Sequence, residues 1–124
     1  MATIPQPVLA DSRRPFDWGI TDERVRQAVQ RIVEVSNPLQ VIAFGSWARG
    51  EQRPDSDLDL AVILEDSPDA MARRPRYSML DGIRMSIDLV VATRSRHEQF
   101  RGSVNSIHGY IAREGVVLYD REAR

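Results

Sequence analysis

The stretch "FGSWARGEQRPDSDLDLAV", Phe44 to Val62, decides the fold. An apolar run ends at Phe44, a Gly-Ser pair follows, a charged loop intervenes, and two aspartates one residue apart head a second apolar run. Aspartate is a poor strand former. Alternate residues of a strand share a face, so Asp57 and Asp59 point one way while Leu58 and Leu60 point the other. Two carboxylates on one face repel each other unless a cation lies between them. The Gly-Ser pair has the complementary chemistry. Gly45 allows a sharp turn out of the first strand and lets a phosphate come close to the backbone. The opening amides of a helix begun there suit an anion. Ser46 adds a hydroxyl donor, and Arg49 adds a charged donor one turn on.

Outward from this stretch, Thr21 reads as an N-cap with Asp22 and Glu23 in the first turn, where the helix dipole favours acids. Val25, Ala28, Val29, Ile32 and Val33 recur at helical spacing, and Asn37-Pro38 ends the helix. "LQVIAF" (39–44) is a short buried strand, Ser46 to Gly50 a short helix, and "LDLAVIL" (58–64) a strand apolar on both faces, as in the middle of a covered sheet. Ser67-Pro68-Asp69 can open a helix through Arg74 that Pro75 interrupts. Asp81-Gly82 is a hairpin-turn signal, which makes Arg76 to Leu80 a strand pairing with "IRMSIDLVVA" (83–92). Thr93 caps a helix through Phe100, Ser103 to Glu114 forms another that Gly115 ends as a C′ glycine, and "VVLY" (116–119) is a last strand. The order implies an α/β (α+β) fold: a mixed sheet of about four to five strands packed with helices.

Asp88 stands in the strand after Asp57 and Asp59, flanked by Ile87 and Leu89, which face away from it. If the two strands are neighbours, three carboxylates converge. Oxygen-only ligands suit a hard ion, Mg²⁺ above all. Two such ions about 3.5–4 Å apart would clamp an in-line phosphoryl displacement. A phosphate-binding turn beside such a site is the equipment of a nucleotidyltransferase. Asp57, Asp59 and Asp88 are then the candidate catalytic and metal-binding residues, and Gly45, Ser46 and Arg49 the candidate nucleotide-binding residues.

"GSWARGEQRPDSDLDL" resembles the signature of the DNA polymerase β-like nucleotidyltransferase superfamily: Gly-Ser, ten residues, Asp-x-Asp. Gly45, Ser46, Asp57 and Asp59 fall on it, and Asp88 in "SIDLVV" matches the third carboxylate. The small size, the "ARG" after the serine and the C-terminal "REGVVLYD" resemble the minimal nucleotidyltransferase (MNT) subgroup over Val25 to Asp120. The resemblance implies Mg²⁺ and ATP. It also implies an antitoxin that pairs with a helical HEPN ribonuclease toxin and transfers AMP to a tyrosine hydroxyl of it. The rival readings are an antitoxin that neutralises its toxin by binding alone, and a small antibiotic nucleotidyltransferase. Trp47 departs from the smaller or basic residues usual at its place; it can stack on a base or merely pack.

The bulk properties set limits. A chain of 124 residues fits one domain, here 21–124 behind an irregular arm of residues 1–20 that carries Pro5, Pro7 and Pro15. Phe16 and Trp18 read as aromatics that pin the arm to its own domain. There is no cysteine, which excludes disulfides and thiolate metal sites. The net charge of −1 offers no bulk attraction to nucleic acid or anionic membrane. No secretory signal pattern and no membrane-length apolar run stand out, so the expected location is the cytoplasm. Two other stretches weigh less. Arg101, His108 and Tyr110 in "RGSVNSIHGY" imitate a HEPN catalytic motif, but that bundle needs more helix than this chain has. "RRPRY" (73–77) reads as a solvated charged face.

Overall fold

The computed structural model describes residues 17–53 and 55–123. Most of the expected arm, Phe16 included, lies outside them. Trp18, though 41% exposed, lines a hollow with Tyr77, Leu80 and Met85 on the body of the domain.

Helix α1 (Asp22–Ser36) begins where the Thr21 hydroxyl accepts from the Arg24 amide at 3.1 Å, and it stops at Asn37 in the left-handed region, φ 45°. Strand β1 (Gln40–Phe44) leads directly into a single-turn helix, α2 (Gly45–Ala48), and the charged loop returns the chain as β2 (Leu58–Leu64). Ser67 caps α3 (Pro68–Ala72), whose first turn accepts Pro68 without loss of a helix hydrogen bond. A 3₁₀ turn (Tyr77–Leu80) precedes β3 (Ile87–Thr93). Thr93 caps α4 (Arg94–Phe100), Ser106 caps α5 (Ile107–Glu114), and β4 (Val116–Asp120) follows.

The sheet is mixed, in the order β3-β2-β1-β4, with β1 antiparallel to both neighbours and β2 parallel to β3. Its strand alternation makes two cores. Val41, Ala43, Leu58, Leu60, Val62 and Leu64 face α1 and the segment Leu80, Ile83 and Met85. Ile42, Phe44, Ala61, Ile63 and Ala92 face α5 through Ile111, with α4 alongside. All of β2 but Asp59 is buried, as an all-apolar run in a covered inner strand requires.

Four expectations need correction. Arg76 to Leu80 is not a strand, and Asp81-Gly82 is not a hairpin turn. A strand parallel to β2 must be reached by a crossover, and residues 65–86 supply it. The apolar residues Leu80, Ile83 and Met85 that suggested strand pairing instead plug the α1 face. The third strand accordingly starts at Ile87, not Ile83. The last helix starts at Ile107, because Ser106 takes the capping role by accepting from the Gly109 amide at 2.9 Å. Gly115 does end that helix, but with extended backbone, φ −77°. What demands glycine there is space: a Cβ would stand 2.5 Å from both Ile111 O and Ile42 Cγ2.

Candidate active site

The end of β1 and the starts of β2 and β3 meet on the α5 side of the sheet. Phe44 is the register partner of Asp59, and Asp59 is the register partner of Asp88. Partners in register share a face, so the Asp59 and Asp88 side chains rise together. Asp57, one residue before β2, completes the group: burial first, then the charges of Asp88 and Asp57, push the Asp59 carboxyl up, while Arg49 pulls it down. Asp57 and Asp88 are exposed and Asp59 is partly buried. No ion pair reaches any of the three among the described residues.

Gly45 is built into this group. Its φ is +76°, and a Cβ on it would lie 2.1 Å from Asp59 Oδ2. The Gly-Ser turn and the aspartate pair are thus one unit in space. Ser46 is partly buried beside it, its carbonyl accepting from the Glu51 amide at 2.8 Å. Arg49, the cap residue of α2, is exposed; its Nε donates to Glu51 Oε1 at 2.9 Å and its Nη1 donates to the Tyr110 hydroxyl. Tyr110 sets its ring edge-on to Phe44, with centroids 6.0 Å apart.

The donor set is oxygen alone, which fits a hard divalent ion. Among the described residues no three acidic or imidazole side chains stand close enough to make a finished metal cage. Asp59 feels the charges of both Asp88 and Asp57, but the three carboxylates do not form a closed set among the described residues.

The remaining sequence candidates have structural places. Trp47 packs on the α1 side of the sheet, in an apolar hollow with Val25, Val29, Val33, Leu118 and Tyr119, away from the carboxylates. His108 is buried, its Nδ1 3.0 Å from Nδ1 of His97, and Arg101 is an exposed helix cap, so the HEPN-like trio is not a cluster. In "RRPRY" the arginines are exposed and Pro75 is buried. Sequence reasoning missed Glu51 and the placing of Tyr110 beside Arg49. Glu51 was legible as an acid two residues on. Tyr110 lies 61 residues away and carried no local signal.

Residues 27–124 match the family model for polymerase beta nucleotidyltransferases, and the chain belongs to that family. No curated protein matches it. Among solved structures it is similar to a protein of Sulfolobus solfataricus provisionally assigned as a nucleotidyltransferase, with TM-score 0.52 and 19% identity, covering 81% of this chain and 80% of that one. It is also similar to a toxin-antitoxin determined with AMP-PNP, with TM-score 0.53 and 19% identity, covering 83% of this chain and 76% of that one. At such identity the likeness establishes the fold.

Proposed function

We propose that this protein is a Mg²⁺-dependent nucleotidyltransferase that acts as an antitoxin, moving AMP from ATP to a tyrosine hydroxyl of a partner HEPN toxin. The observation that carries the reading is the register pairing of Asp59 with Asp88, with Gly45 packed against Asp59. The toxin-antitoxin with AMP-PNP among the similar structures supports the partner and the nucleotide.

Asp57, Asp59 and Asp88 would hold Mg²⁺. When bound, the ion supplies positive charge to the reacting phosphates. Gly45, Ser46 and Arg49 bind the triphosphate: the glycine leaves room at the backbone, the serine donates its hydroxyl, and the guanidinium offsets charge on the leaving pyrophosphate. Asp88, the exposed carboxylate at the sheet edge, accepts the proton of the acceptor hydroxyl. The acceptor oxygen then forms its bond to the α-phosphorus as the bond from that phosphorus to pyrophosphate breaks. The site is open to solvent at Asp57 and Asp88, which suits a macromolecular acceptor arriving from outside.

The test is intact-mass spectrometry of the protein co-expressed with its genomic partner. The partner gains one or more AMP units. Asp57→Asn with Asp59→Asn keeps the fold, because shape is retained and repulsion relieved, and abolishes the gain, because neutral amides hold Mg²⁺ poorly. A partner whose mass never changes, and a double variant that still protects cells, would establish neutralisation by binding alone. A small-molecule acceptor in place of the protein would establish the antibiotic-modifying reading.

A further inference from the structure

The Arg49 side chain is held from two directions by partners of different character. Glu51 is charged, exposed and only two residues away, on the same loop. Tyr110 is neutral and comes from α5. Its position is fixed three times over. Its ring packs edge-on against Phe44, the register partner of Asp59. The next residue, Ile111, is 1% exposed in the core against β1. Gly115 brings the end of α5 so close to Ile42 that no side chain fits between them. The phenol oxygen is therefore a stationary acceptor carried by a rigid element.

An arginine is long and rotamer-rich, and binding must order it. A guanidinium ordered before its ligand arrives spends less of the binding energy on itself. A neutral hydroxyl orients the group without cancelling its charge, which Glu51 does cancel. A triphosphate arriving at Gly45 and Ser46 therefore competes with Glu51 for Arg49 but not with Tyr110.

We propose that Tyr110 is a positioning residue for nucleotide binding: from α5 it aims Arg49 at the triphosphate seat, and the incoming phosphate replaces Glu51 on the guanidinium. This rests on the nucleotidyltransferase reading above. The Tyr110 hydroxyl touches no reacting atom and acts through Arg49 alone.

Isothermal calorimetry of the full chain with MgATP tests it on four proteins: wild type, Tyr110→Phe, Arg49→Ala and the double variant. Phenylalanine keeps the ring against Phe44 and removes only the hydroxyl. Loss of a hydrogen bond to a charged group predicts a Kd about tenfold weaker for Tyr110→Phe. The same substitution has no further effect once Arg49 is alanine, as for two residues acting through one contact. A second readout needs no nucleotide: the Arg49 Nε–H resonance shifts and broadens in Tyr110→Phe. Wild-type affinity in Tyr110→Phe, an equal loss in both backgrounds, or an unchanged Arg49 resonance overturns the proposal while leaving nucleotidyl transfer standing. A wild-type protein that binds no MgATP overturns both.

Discussion

At the scale of single residues the site turns on Gly45. The left-handed backbone there costs an L side chain about 1–2 kcal/mol, and the missing Cβ is the space that Asp59 Oδ2 occupies. The two effects have separate readouts. Gly45→Ala lowers stability by about 1–2 kcal/mol through the backbone, seen as a lower midpoint in urea. It also displaces the Asp59 carboxylate, so that MgATP binding is lost under conditions where the variant is still folded. A variant that melts earlier yet binds MgATP normally would mean that the phosphates sit away from this turn. The glycine and the first two aspartates were readable because the chain itself spells their spacing. Their fit to one another was not, since the 2.1 Å approach exists only once β1 and β2 are paired.

At the scale of elements, α4 and α5 meet through an imidazole pair. His97 and His108 are both buried, their nitrogens 3.0 Å apart, and Phe100 stacks on His108 under the Arg96 guanidinium. One ring donates and the other accepts, so the accepting ring must be neutral, and the two cannot both be charged without losing the bond. Burial pushes both imidazoles below the usual range; Arg101 and the partner ring add to this at His97, and Arg96 adds to it at His108, with Glu98 opposing at His97. A depressed histidine stabilises the fold fully above its unfolded value, about 6.5, and that contribution is lost as pH falls through the folded value. The melting temperature should therefore drop on acidification below about pH 6.5, and the drop should be shallower in His108→Gln, where one charging ring is gone. Equal slopes for the two proteins, followed by differential scanning calorimetry from pH 7.5 to 5, would mean that carboxylates dominate. The helices and strands with a local signal were legible: Thr21, Ser67 and Thr93 cap as their positions imply, and the run 58–64 is the inner strand its composition demands. The crossover was not. Leu80, Ile83 and Met85 are apolar because α1 covers them, and that contact joins segments about fifty residues apart, as the Arg31 bond to the Asp81 carbonyl does. Tyr110 escaped for the same reason: the residues it meets, Arg49 and Phe44, lie far away in the chain.

At the scale of the whole molecule, three aspartates that no ion pair reaches among the described residues leave folding energy to be gained from an ion. A ligand that binds only the folded chain stabilises it by mass action, about 2.7 kcal/mol at a hundredfold excess over Kd. Millimolar Mg²⁺ with ATP should raise the melting temperature by several degrees, and Asp57→Asn with Asp59→Asn should melt higher than wild type without the ion and gain nothing from it. A thermal shift in wild type no larger than in the double variant would remove the carboxylates from metal binding. The sheet order has a consequence for synthesis. β1 is an inner strand only because β4 closes it, and the two meet across 80 residues, where Gln40 bonds Asp120. While the chain is still on the ribosome, α1, β1 and β2 can assemble early, but the far edge of β1 stays unpaired until β4 has emerged. A ribosome stalled in that interval holds a nascent chain with an open, apolar strand edge, the form in which one copy pairs with another. The closing strand "VVLYD" thus ends that exposure only once it has emerged and paired, quite apart from anything the finished site does.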